Sequence, residues 1–384
     1  MKKFLKMIML AVITVACIFT AVACASEQDG TSDKGMLYKK IDGVYTIYKY
    51  VDEGKGITTL DIGELLEDDI TEVRIKKNAF SGNQTLKEII VPATVKTFDE
   101  GAFAGMKALE KLTLTFVGGS ANADGAYGDS ASATDKAVNV ERTFAYLFGT
   151  DEYDGGCSVA VKSDANTGDT RYMPLTLKHV VINASQDYKI PMYAFNGCVN
   201  LNTIELNGAI AEIGEYAFAD CKNLVNVSIP ASVQKIRKGA FANCSSLADN
   251  ALVNISSVAE IGESAFENAK VNEVVLAANA QVGAKAFAGS KIKKLTISGS
   301  VAIGVSAFSG CEKLTTVLTS NIADATIAQF AFKGATALVQ FGGTANTFDL
   351  TGFAVENLAF ADIFENSTDI TVVGNSNANA VFGW

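Results

Sequence analysis

The chain has 384 residues, a formal charge of −10 and 48% hydrophobic residues, enough apolar material for a large core. Its 32 basic residues are outnumbered by 42 acidic ones and form no Lys/Arg cluster, which argues against nucleic acid and against an anionic membrane surface as electrostatic partners. An acidic balance of this kind suits the solubility of an exposed surface.

The first element is a targeting segment. Lys2, Lys3 and Lys6 precede an apolar run from Met7 to Ala23, which meets Cys24 and then a polar stretch, Ser26 to Lys34. That order is an n-region, an h-region and a small-residue cleavage site. The run of 17 residues is at the short limit for a membrane span. Ala21-Val22-Ala23-Cys24 resembles a bacterial lipobox, with Ala21 where Leu is usual. The resemblance implies lipid attachment at Cys24; ordinary secretion with cleavage nearby is the competing reading. Two or more acyl chains would anchor the protein firmly. Removing residues 1–23 takes away three Lys and no acid, moving the formal charge from −10 to −13.

Beyond the cap, Ala-Phe recurs, with phenylalanines at 80, 103, 195, 218, 241, 266, 287, 308, 332 and 360. Apart from the gap after Phe103, the steps as far as Phe332 are 21 to 25 residues, the period of a solenoid built from one stacked supersecondary unit. In the unit from Cys198 to Phe218, Ile204 and Leu206 alternate with polar residues, as in a strand with one buried face. Pro92 and Pro230 sit just past such strands, where a missing donor breaks no ladder. The stretch from Gly214 through Phe218 to Cys221 reads as a short helical turn that drops the ring inward. Parallel coils stack about 4.8 Å apart and share a continuous core.

The pattern Leu224, Val227, Ile229-Pro230, Val233, Ile236, Ala240-Phe241, Cys244 resembles the BspA-type leucine-rich repeat of bacterial surface proteins. The resemblance runs from about Ala79 to Val373. It implies an α/β leucine-rich-repeat solenoid with stacked parallel strands and short helical turns in the convex segments. It also implies a cell-surface location and adhesion to extracellular protein or glycan. Asn83, Met106, Ala269, Ser290 and Ala335 replace the Cys in other coils.

Between Phe103 and Phe195 the pattern lapses over 92 residues, an insertion placed at about 116–173. The family commonly carries a similar insertion, with which Phe144 to Gly149 and Pro174-Leu175 correspond. Its aromatics are Phe116, Tyr127, Phe144, Tyr146, Phe148, Tyr153 and Tyr172. They either staple the insertion to its host coil or meet a partner, with Phe144, Tyr146, Phe148 and Tyr153 as the candidate contacts. Asp164 to Asp169 faintly resembles a calcium loop, but Gly168 and Leu175 stand where ligands belong, so a solvated turn is the better reading.

No motif carries chemistry. His179, the single histidine, points outward if Val180 and Ile182 point in. Cys198, Cys221, Cys244 and Cys311 share one phase, three residues after the repeat Phe, and read as a buried thiol ladder rather than as disulfides or a metal site. No phosphate loop, zinc signature or paired carboxylate stands out, so neither enzymatic activity nor a cofactor is expected.

The remaining candidate surface is the outward strand row: Glu88, Lys111, His179, Thr203, Glu205, Asn226, Glu273, Lys294 and Thr316. The expected layout is a signal peptide over 1–23, a flexible tether over 24–35, an N-terminal cap over 36–78, the solenoid over 79–374 and a tail over 375–384. The expected role is a lipid-anchored surface protein that binds extracellular protein or glycan, with the membrane met only through the anchor. The alternative is a structural component of the envelope that holds another bacterial protein.

Overall fold

The computed structural model describes residues 28–31, 35–41, 43–51, 56–66, 70–121, 140–162, 168–248, 255–321, 325–328, 330–342, 347–349, 353–355 and 371–373. In the coil that begins at Leu224, Val227 and Ile229 are buried while Asn226 and Ser228 face solvent. This alternation makes the strand Asn226–Ser228. Pro230 lies past its end and starts a turn that the Val233 N–H closes on the Pro230 carbonyl at 3.1 Å. A second, two-residue strand, Lys235–Ile236, follows before the chain turns beneath Phe241.

Repeating this course stacks two rows of strands. The first row holds Glu88–Ile90, Lys111–Leu114, the starts of His179–Ile190 and Thr203–Ile213, then Asn226–Ser228. It resumes with Glu273–Val275, Lys294–Ser298, Thr316–Ser320 and Gln340–Phe341, all parallel. The second row runs through Lys235–Ile236, Glu260–Ile261, Gln281–Val282, Ala302–Ile303, Ala325–Ile327 and Phe353–Val355. His179–Ile190 and Thr203–Ile213 are long enough to serve both rows, with a register irregularity between Ala184 and Lys189, and so join them into one 12-stranded sheet. The architecture is a β-solenoid with a leucine-rich-repeat unit. The second row is an addition to the sequence reading, because a two-residue strand is too short to display alternation.

The third side corrects the expected helical turns. Residues two before and two after each repeat phenylalanine from Phe80 to Phe332 have left-handed backbone, for example Tyr216 (φ 52°) and Asp220 (φ 61°), Gly239 and Asn243 (both φ 61°), Ser264 (φ 54°) and Asn268 (φ 57°). A right-handed helix cannot pass through such positions. The N–H groups alternate in their partners instead. Those of Ala219 and Cys221 close turns on Tyr216 and Phe218, at 3.1 and 3.2 Å. Those of Tyr216, Phe218 and Asp220 reach the carbonyls of Lys238, Ala240 and Ala242 in the next coil, at 2.8–2.9 Å. Every such donor finds an acceptor without a helix. Among the described residues helix is confined to short pieces such as the 3-10 turn Phe144–Phe148.

The rings inside follow the coil spacing. From Phe195 to Phe332 successive rings lie 4.9–5.3 Å apart and within 8° of parallel. The column continues to the other end through Phe103 and Phe80 and stops at Tyr50, 5.8 Å from Phe80. There the cap begins: Val44–Tyr50 pairs in parallel with Glu72–Ile75 and antiparallel with Met36–Ile41. Gln28–Thr31, inside the stretch expected to be a flexible tether, pairs antiparallel with Met36–Ile41 and forms the edge strand. Cys24 and residues 375–384 lie outside the described residues.

Lys111–Leu114 pairs directly with His179–Ile182, so residues 115–178 add no strand to the first row. Of these, 122–139 and 163–167 lie outside the described residues, Tyr127 and most of the calcium-like stretch among them. Phe144–Phe148 fills the phenylalanine column between Phe103 and Phe195, with ring separations of 6.3 Å to Phe103 and 5.0 Å to Phe195. A hairpin of Gly156–Lys162 and Gly168–Pro174 follows. Among the described residues no helix is long and apolar enough to cross a membrane.

Candidate functional site

The expected binding residues fall on the first-row strands in two runs. Glu88, Lys111, His179, Thr203 and Asn226 are consecutive register partners along the axis. Glu273, Lys294 and Thr316 form a second such run. Glu205 stands two residues along its strand from Thr203, beside Val181. Between the two runs the chain passes through residues 249–254, which lie outside the described residues, and a 3-10 turn, Ile255–Ser257.

Charges on this face neutralise one another from coil to coil. Lys111 Nζ is 2.9 Å from Glu88 Oε1, and Lys87 Nζ is 2.9 Å from Glu110 Oε1. His179 Nε2 is 2.8 Å from Glu205 Oε1, and Asn207 Nδ2 donates to Asn183 Oδ1 at 3.0 Å. Such exposed pairs add little stability, but they hold long side chains in fixed positions. Beside Glu273 and Lys294, Val275 is 45% exposed, an apolar spot among polar neighbours.

The candidate contacts from the insertion divide. Phe144 and Phe148 are fully buried in the phenylalanine column, so the stapling role is the one the geometry gives them, and they are withdrawn as partner contacts. Tyr146 is half-buried; burial first, then Glu141, Glu100 and Asp99, push its phenol up to about 12. Burial raises the Tyr153 phenol as well, and its hydroxyl is buried with no partner. Phe116 is buried, and near it the Tyr188 hydroxyl accepts the Val117 N–H at 2.8 Å.

The thiol ladder is buried and free of disulfides. Cys221, Cys244 and Cys311 each donate to the phenylalanine carbonyl one coil back, Phe195, Phe218 and Phe287, at 3.0, 3.1 and 3.2 Å. Burial pushes Cys221 up to about 12 and Cys311 up to about 11, and raises Cys198 and Cys244 as well. These thiols stay protonated and are poor nucleophiles.

Two features escaped the sequence reading. Arg237 bridges three coils: Nε and Nη2 bind Glu212 at 2.8 and 3.0 Å, and Nη1 binds Glu260 at 3.0 Å. Its only signal was charge recurring at the period of the repeat. Beside it, a shallow groove of about 440 Å³ crosses the second row over Gly262, Gly283 and Gly304. The glycines recur four residues before Phe266, Phe287 and Phe308, a spacing that was readable. Among the described residues no cluster of three or more His, Cys, Asp or Glu is placed to hold a metal ion.

The BspA type leucine rich repeat region model matches residues 53–119, 167–282 and 250–371 in six copies. Among solved structures, a leucine-rich repeat protein from Bacteroides ovatus is 15% identical over 92% of this chain and 100% of its own, with a TM-score of 0.37. A leucine rich cell surface protein from Faecalibacterium prausnitzii is 17% identical over 94% and 98%, with a TM-score of 0.29. The pneumococcal vaccine antigen PcpA is 15% identical over 91% and 99%, with a TM-score of 0.28. Likenesses this distant carry no functional argument. No curated protein matches the chain. With the family model covering well over half its length, the chain belongs to the BspA-type leucine-rich repeat family.

Proposed function

We propose that this is an exported protein, tethered at Cys24, that binds an extracellular protein or glycan through the first-row strand face. The observation that supports this reading is the register: Glu88, Lys111, His179, Thr203 and Asn226 stand side by side on a rigid sheet. A surface of short polar groups repeating at coil spacing suits a broad, shallow ligand that makes a few contacts per coil. Side chains already held by Glu88–Lys111 and His179–Glu205 pairing lose little freedom on binding. Glu205 flanks the first row, and Glu273, Lys294 and Thr316 extend the face. Tyr146 and Tyr153 remain the insertion's candidate contacts.

Pull-downs from matrix proteins and cell-wall glycans, followed by titration, test the reading. Thr203→Arg and Thr316→Arg are expected to weaken a captured ligand at least tenfold without lowering the melting temperature. A ligand that ignores both would place binding elsewhere, and no saturable ligand at all would count against adhesion. Partners confined to the producer's own envelope would favour an assembly role instead. Retention of Cys24→Ser at the membrane, unchanged from the parent, would refute the lipid tether.

A further inference from the structure

Cys198 differs from the other thiols of its column. Cys221, Cys244 and Cys311 each donate to a phenylalanine carbonyl one coil back. The coil before Cys198 is closed by the Phe144–Phe148 turn, and the Cys198 thiol donates instead to Met173 Sδ at 3.8 Å. Met173 is fully buried and stands directly opposite Cys157 across the hairpin. Opposed residues of an antiparallel pair share a face, with Cβ atoms about 4.5–5.5 Å apart. That face is turned inward, since Val159 and Val161, at the same phase as Cys157, are both buried. Cys157 itself is half-exposed, giving a way in from solvent. Beside it the Tyr153 ring packs on Gly156, its carbons 3.2–3.3 Å from where a Cβ would stand, and its buried hydroxyl has no partner.

Cys198 and Met173 are thus in sulfur–sulfur contact under the base of the hairpin, with Cys157 the register partner of Met173 and its thiol 3.8 Å from the Ser158 carbonyl. Two sulfurs each about 2.3 Å from a shared metal ion, at tetrahedral to trigonal angles, are roughly 3.8–4.0 Å apart. The Cys198–Met173 separation of 3.8 Å falls in that range. Thiolates with a thioether select soft ions, and hard cations and zinc gain little from a methionine ligand. We propose that Cys157, Met173 and Cys198 form a binding site for a soft monovalent cation, Cu(I). Binding releases one proton from each of the two thiols and changes no oxidation state. The ion would clamp the hairpin to the solenoid, and a ligand held only by the folded chain raises its stability.

The test uses the full chain carrying Cys17→Ser and Cys24→Ser, reduced and kept anaerobic, with Cu(I) titrated against the chromogenic chelator bicinchoninate. One equivalent is expected to leave the chelator for the protein, with a rise in melting temperature. Cys157→Ser and Met173→Leu should each weaken this at least tenfold, whereas Cys221→Ser should leave it unchanged. Cys157 is partly exposed, so its substitution keeps the test decisive if changes at the buried positions unfold the chain. No transfer at one equivalent, or transfer unaltered by Cys157→Ser, overturns the site. So would a Cys157–Cys198 disulfide recovered as the resting form in the cell.

Discussion

A methyl group on Gly283 would stand 2.6 Å from the Glu263 backbone nitrogen, and one on Gly262 the same distance from that of Lys238. Neither obstacle is a side chain that can swing away, so the coils themselves would have to part. Gly283→Ala is expected to cost about 1–3 kcal/mol as an overpacking change. Gly82 is the contrast: at φ 71° it has nothing within 4 Å, and Asn takes the equivalent left-handed place at 243 and 268. Gly82→Asn should leave the melting temperature nearly unchanged, while Gly82→Val should lower it, because a β-branched residue resists that backbone. Thermal melts of the three variants decide the matter. The thiols make a second residue-scale prediction. Cys221 and Cys311, raised to about 12 and about 11, stay protonated in the fold where an unfolded thiol, near 9, begins to ionise. Their contribution is intact below about pH 9 and is lost as pH rises through 11 to 12. A melting temperature that stays flat from pH 8 to 11 would sink this account.

The elements are held across coils by groups whose partners are distant in sequence. Glu212 is a buried acid, 6% exposed, paired with Arg237 one coil on. Arg237→Ala would strand that charge and is expected to cost roughly 3 kcal/mol, whereas Lys238→Ala, losing only an exposed pair with Glu263, should cost under about 1 kcal/mol. Urea melts of the two variants measure the difference. The same contrast explains what could be read from the chain beforehand. Ile204 and Leu206 announced a strand because alternation is local, and Phe218 and Cys221 announced burial because they recur at one phase. Tyr216 gave no warning of its left-handed backbone, since the type of residue there changes from coil to coil and only the turn geometry is kept. Cys157 and Met173 sit in a stretch without periodicity, so only the folded hairpin brings them to Cys198. Phe144 and Phe148 lay open to two readings until the ring column showed a place for them.

On the scale of the molecule, the repeat predicted one shared interior and flat outer faces, and the strand rows have that form. What period alone could not supply was the second row, built from two-residue strands such as Lys235–Ile236 and Glu260–Ile261. The coils also touch only their neighbours, which has a mechanical meaning. A pull on the two ends of the solenoid would act along the stacking axis and load the outermost coil alone. Each coil would peel away in turn, releasing about 70–80 Å of extended chain. Stretched between optical traps, the protein should lengthen in a staircase of small steps at modest force rather than in one large rip, behaving as a shock absorber between whatever it joins.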